Sequence, residues 1–181
     1  MTQDGVEPEI DPALRAAVRE IEVHVAEEGW DQPPRLYALV PTADLVVREP
    51  ALAASMGLDE AAAAGSLTPV EQDRMPADRS MEQFLGSVMW PAEVLGCAAV
   101  VERVVLPPPA EESLPEDPRA VEEYAAGHPD REEVRIVAAA TRDGATYCAL
   151  RMRSRDERAS VVESPDLVPG LLELLRTTLE Q

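Results

Sequence analysis

Residues 134–155 read VRIVAAATRDGATYCALRMRSR, two strand-like runs on either side of an Asp143-Gly144 turn signal. How Val134–Thr141 and Thr146–Arg153 pair decides the fold. A two-residue turn at Asp143-Gly144 sets Arg153 opposite Val134 and Arg135 opposite Met152, mixing charged and apolar side chains on both faces. A three-residue loop, Asp143-Gly144-Ala145 with Gly144 or its neighbour left-handed, shifts the parity. Ile136, Ala138 and Ala140 then meet Met152, Leu150 and Cys148 on one face. On the other, Arg135 meets Arg153, Val137 meets Arg151, Glu133 meets Arg155 and Thr141 meets Tyr147. Burial selects the register that separates the faces, so the three-residue loop is expected.

Outward from this hairpin the chain alternates irregularly between helical and strand-like patterns. Leu14, Val18, Ile21 and Val25 form one apolar stripe, with Asp11 as N-cap, Pro12 at the first helical position and Gly29 beyond the end. Pro33-Pro34 precedes a strand over Arg35 to Val40. Thr42 starts a helical stretch that Pro50 interrupts and that resumes to Met56. Ala61 to Ala64 with Gly65 is a low-complexity connection. Leu67 to Asp73 reads as an edge strand, because Pro69 lacks a ladder donor. Ser80 caps a helix to about Trp90 with Met81, Phe84, Leu85 and Val88 buried, and Cys97 to Leu106 is the most β-like run. A flexible Pro- and Glu-rich insertion is expected at about 107–120, with one helical turn at Val121 to Ala126. A short strand at Ala159–Glu163 precedes a helix from about Pro169 to Leu179. The pattern lacks the regular alternation of a doubly wound sheet. It predicts one α+β domain over 1–181, two-layered, with an antiparallel sheet backed by N- and C-terminal helices.

The chain has 35 acidic and 16 basic residues, every base an arginine, for a net charge of −19. Such a charge opposes general binding to nucleic acid or anionic lipid, where phosphate neutralisation supplies most of the affinity. No apolar stretch approaches the ~18 residues of a membrane span, so no membrane insertion is expected. The acidic start lacks the features of a signal peptide, and Cys97 and Cys148 read as buried thiols, so the expected location is cytoplasmic. The charge is uneven. Residues 1–34 and 107–133 each carry nine acids and two arginines, −7 apiece. Residues 134–158 carry three acids and six arginines, +3. Arg151, Arg153 and Arg155 alternate along a strand and, with Arg135, form an arginine-bearing sheet face. Arginine's planar fork suits carboxylates and phosphates, so these four residues are the candidate site for an acidic protein or peptide. The competing interpretation is a face held by the protein's own acidic 107–133 segment.

Catalytic signals are weak. His24 lies one turn from Glu20 and Glu28, but a polar helix flank explains the three as well as a metal does, and no metal is expected. His128-Pro129-Asp130-Arg131 has the form of an exposed turn. No serine sits in a nucleophile elbow, no glycine cluster cradles phosphate, and the cysteines form no CxxC motif. No catalytic residue and no cofactor is assigned.

Five stretches, Leu36–Leu45 (LYALVPTADL), Leu67–Gln72 (LTPVEQ), Trp90-Pro91 through Glu102-Arg103 to Leu106-Pro107, His128–Val134 (HPDREEV) and Asp166–Gly170 (DLVPG), resemble a conserved family of uncharacterised actinobacterial proteins of Propionibacterium type. The resemblance spans most of the chain. It implies a cytoplasmic α+β domain of unknown function and carries no catalytic residue across. The resemblance leaves function open; local cationic character without catalytic signatures makes the expected function a non-enzymatic binding or adaptor module using the arginine face. The alternative is a small-molecule enzyme or sensor with a pocket between sheet and helices. A third interpretation takes the apolar helix face Leu171 to Leu179 as a homodimer surface.

Overall fold

The computed structural model describes residues 10–58, 65–72, 79–106 and 114–180. Helix α1 spans Pro12–Glu27. Asp11 caps it, its Oδ1 accepting from Ala13 N at 2.9 Å and Leu14 N at 3.2 Å. These bonds satisfy two of the amide donors that a helix start leaves open. Gly29 follows the helix in the left-handed region at φ 83°, where glycine carries no Cβ penalty. Strand β1 (Arg35–Pro41) leads into α2 (Thr42–Arg48) and α3 (Pro50–Ser55), separated at Pro50 as the sequence predicts. Strand β2 is Leu67–Glu71; the Ala61–Ala64 connection lies outside the described residues.

Helix α4 covers Met81–Leu85 and begins with a reciprocal Ser80/Gln83 capping box. It stops five residues short of the expected Trp90. Gly86 is its C-cap, the Ser87 hydroxyl donates to Phe84 O, and Pro91 disfavours helix in the residue before it. After β3 (Gly96–Val105), residues 107–113 of the expected insertion lie outside the described residues. Helix α5 (Pro118–Gly127) is longer than the single turn expected, since Asp117 caps it and Pro118 suits its first position. Strands β4 (Glu132–Thr141), β5 (Thr146–Met152) and β6 (Val162–Ser164) follow, and α6 spans Pro169–Leu179.

The six strands form one antiparallel sheet in the order β2-β1-β3-β4-β5-β6. Gln72 N donates to Leu36 O, so by alternation the missing donor of Pro69 falls on the outer edge of β2. The opposite edge, β6, is three residues long. The predicted class, an antiparallel α+β sheet with both terminal helices packed on it, is the observed one. The layering departs from the expected two layers, because the terminal helices lie on opposite faces.

Leu14, Val18, Ile21 and Val25 of α1 bury against Tyr37, Leu39, Ala98, Val100, Val137, Ala139 and Ala149. Leu171, Leu172, Leu175 and Leu179 of α6, with Met81 and Leu85 of α4, bury against Leu36, Cys97, Ala99, Val101, Ile136 and Ala138. The sheet is thus the middle of three layers. Its centre is built from very small side chains, Ala98 opposite Ala139, Ala99 opposite Ala138 and Cys97 opposite Ala140, all fully buried. Cys97 lies beside Thr178 of α6, and burial pushes its thiol up to about 11.

The hairpin has the predicted loop length and facing but another register. Thr141 N donates to Ala145 O at 2.9 Å, making Arg142-Asp143-Gly144 the loop. Gly144 closes it at φ 93°, the left-handed position such loops require at their end. Arg135 therefore pairs with Arg151, and Ile136 with Leu150, two residues away from the expected partners. Asp143 selects this loop by accepting the Thr141 hydroxyl within it. Face parity survives a two-residue shift, so Arg135 and Arg151 still share a face.

Candidate functional site

That shared face is the one under α1. Arg135 is 1% exposed and Arg151 is 5% exposed, with Glu22 of α1 at 4%. Arg151 engages Glu22 through two bonds, Nε to Oε1 at 2.5 Å and Nη2 to Oε2 at 3.1 Å. Its Nη1 reaches Asp156 Oδ1 at 3.0 Å. The bidentate fork raises the Arg151 pKa above its ordinary value, against the opposing effect of burial. Arg135 is held differently. Its Nη2 donates to Gly29 O, and its guanidinium carbon sits 4.4 Å from the Trp30 ring centroid. Nε and Nη1 have no hydrogen-bond partner among the described residues. Burial lowers the Arg135 pKa; the carboxylates of Glu102, Glu22 and Asp156 pull it back up, and Arg151 opposes them.

The turn after α1 closes the site. Trp30 lies within 5.7 Å of the Arg153 guanidinium as well, and its indole N–H donates to Asp156 Oδ2 at 3.0 Å. Asp31, at φ 65°, takes a bidentate pair from Arg153 at 2.9 and 3.2 Å. Glu102 holds that turn by accepting from Asp31 N at 2.8 Å and Gln32 N at 2.6 Å.

Arg153 is exposed at the end of β4–β5, where its N–H donates to Glu133 O and its side chain reaches the Glu133 carboxylate at 3.3 Å. Arg155 leaves the predicted row. β5 ends at Met152, the chain turns at 153–154, and an isolated bridge returns Arg155 to Met152. Arg155 is exposed and makes no ion pair among the described residues. The structure thus brings Arg135, Arg151 and Arg153 together and separates Arg155. The acids that meet them come from α1 and its turn, from Asp156 and from Glu133, so α1 is the main cover and the 107–133 segment contributes at its end. Sequence reasoning passed over Glu22, Asp31, Glu102 and Asp156. The available signal was the apolar character of Val137, Ala139 and Ala149 on the arginine face, which marks it as a second buried face.

Of the weaker candidates, His24 is exposed and Glu28 is paired with Arg35. His128 Nδ1 accepts from Asp130 N at 3.0 Å in an exposed turn. Among the described residues no group of three His, Cys, Asp or Glu could hold a metal, and no helix is long and apolar enough to cross a membrane.

An open cavity of about 370 Å³ lies at the other end of the sheet. It forms where β1 and β4 end, β2 and β3 begin, and α1 starts. Pro41, Leu67 and Leu95 give it apolar walls, and Asp11 and Asp143 add carboxylates. Leu95 is 42% exposed. Arg142 also borders it, but that guanidinium is occupied by four carbonyls: Val94 O at 2.7 Å, Leu179 O at 2.5 Å, Pro91 O at 3.2 Å and Trp90 O at 3.3 Å. A smaller polar cavity of about 220 Å³ beside α1 and β6 is bordered by the Arg19–Glu163 ion pair, itself bidentate at 2.6 and 3.1 Å.

These features define a three-layer α+β protein with Arg135 and Arg151 buried beneath α1 and an apolar-walled cavity at the far end of the sheet. The chain belongs to the PPA1309-like protein family, whose profile matches residues 14–180. No curated protein and no solved structure matches it.

Proposed function

We propose that this protein is a non-enzymatic small-ligand-binding domain, and that its ligand occupies the cavity at the α1 end of the sheet. The observation that carries this is the cavity itself, about 370 Å³ and walled by apolar side chains that include a half-exposed leucine. Its size falls in the range typical of small-molecule sites, and a leucine exposed inside a concavity is surface that a ligand covers favourably. The adaptor interpretation draws on less: Arg135 and Arg151 lie beneath α1, leaving Arg153 and Arg155 as exposed arginines of the four.

A small-molecule fragment screen read by amide chemical shifts tests the proposal. Hits are expected to move the amides of Ala13, Ser66 and Leu95. Ala43 is exposed at the cavity wall, so Ala43→Phe fills the space without disturbing the core. That variant is expected to keep the fold and lose the hits. Hits that persist in Ala43→Phe, or a screen with no hit at these amides, overturn the proposal.

A further inference from the structure

Resting on the cavity reading above, we infer that the ligand is a small amphiphile with a cationic, amine-type group, its apolar part on Leu67 and Leu95 and its charge on Asp143. Two elements of the cavity wall could have recognised an anion, and both are already occupied. The first is the start of α1, whose amides are natural anion donors. Asp11 takes two of them, Ala13 N and Leu14 N, with its own Oδ1. The second is Arg142, the lining's cation, whose Nε, Nη1 and Nη2 all donate to backbone carbonyls.

What remains for a ligand is carboxylate. Asp143 uses Oδ1 for the Thr141 hydroxyl, and its Oδ2 has no partner among the described residues. Asp143 sits in the loop that the hairpin register fixes, so its position follows from the ladder and from Gly144. The chain's net charge of −19 raises the cation concentration around the molecule as a whole. An ammonium group on Asp143 makes a charge-assisted hydrogen bond, roughly twice as strong as a neutral one.

Benzylamine, benzyl alcohol and benzoate test this, since they share a ring and differ in charge. Each is titrated against the full chain at low salt and read at the Ala13, Ser66 and Leu95 amides. Asp143 is exposed, so benzylamine is expected to bind up to about fivefold more tightly than benzyl alcohol, a difference of about 1 kcal/mol at the top of the range for exposed pairs, with benzoate weakest. Asp143→Asn keeps a side-chain acceptor for Thr141 and is expected to bring benzylamine down to the affinity of benzyl alcohol. Equal or tighter binding of benzoate overturns the inference, as does a cation preference that survives in Asp143→Asn or shows no focus on these amides. Binding of all three without charge preference overturns this inference and leaves the cavity reading standing. Binding of none overturns both.

Discussion

Substitution of Glu22 by methionine has a cost that follows from how little water reaches its partner. The side chains of Arg151 and Glu22 are 6% and 5% exposed, and Arg135 sits directly across the ladder from Arg151. Removing the carboxylate leaves Arg151 with Asp156, which is 46% exposed, as its remaining anion. Two guanidinium groups would then face each other beneath the apolar side of α1. Breaking one partner out of a buried ion pair costs about 3–5 kcal/mol. For a chain of this length each kcal/mol lowers Tm by about 2–4 °C, so the melting temperature should fall by roughly 6–20 °C. Arg151→Met alone should also be costly, because it strands Glu22. The double variant removes both charges together and should be less destabilised than the two single losses added, by about 2–3 kcal/mol. Urea unfolding of all four proteins, with unchanged m values as the control for two-state behaviour, measures the cycle. Additivity within about 0.5 kcal/mol would refute a coupled buried pair, since independent sites add to that accuracy. So would a single-variant loss below 1 kcal/mol, the range of exposed pairs.

Three further outcomes follow from other parts of the fold. Arg142→Ala removes the donors of four carbonyls, one of them at the end of α6, and should cost about 2–3 kcal/mol, with faster amide exchange over the last turn of α6. Unchanged exchange there would argue against the tie. Gly96→Ala places a Cβ 2.5 Å from Ala140 O and 3.1 Å from Thr141 Cγ2, so a loss of about 1–3 kcal/mol in urea is expected. A neutral result would mean the strands are not this close. Acid should weaken the fold through Asp31, Asp156 and Glu163, held below their ordinary range chiefly by bonds from Arg153, Trp30 and Arg19 respectively. Carboxylates depressed in the folded state add stability above their unfolded pKa values, which lie near 4, and lose it as pH falls through the folded values. The urea midpoint should therefore drop below about pH 4, and Arg153→Met should flatten part of that drop.

Much of the scaffold was legible because its signals are local. Asp11 with Pro12 marks the start of α1 and Pro169 that of α6, each with a clear apolar stripe. Pro50 separates α2 from α3, and Pro69 marks β2 as an edge. The parity of the hairpin was legible too, since burial distinguishes odd from even shifts. A shift by two preserves both faces, however, and the two possibilities are separated inside the loop, by the Thr141–Asp143 contact and by Gly144 falling at its left-handed end. The burial of Arg135 and Arg151 was obscured by their charge. A row of arginines resembles a solvated face unless the apolar residues between them are weighed equally. The unbroken runs Cys97–Val101 and Ile136–Ala140 carry that weight, because a strand buried on both sides loses its alternation. The cavity left no trace in any one stretch. Asp11, Pro41, Leu67, Leu95 and Asp143 come from five segments that meet only when the sheet is assembled.

The alanine-built centre of the sheet has a mechanical consequence. Between α1 and α6 stands a wall only a backbone and a methyl group deep on either side. With no long side chains to absorb a displacement, a shift of one helix bears directly on the strands that seat the other. Enlarging Ala98 or Ala139 would lift α1, while enlarging Ala99 or Ala138 would lift α6. The start of α1 borders the cavity, and the end of α6 is tied by Arg142 to the cavity's other wall. A displacement of either outer layer therefore bears on the walls of that opening, through the start of α1 on one side and through Arg142 on the other.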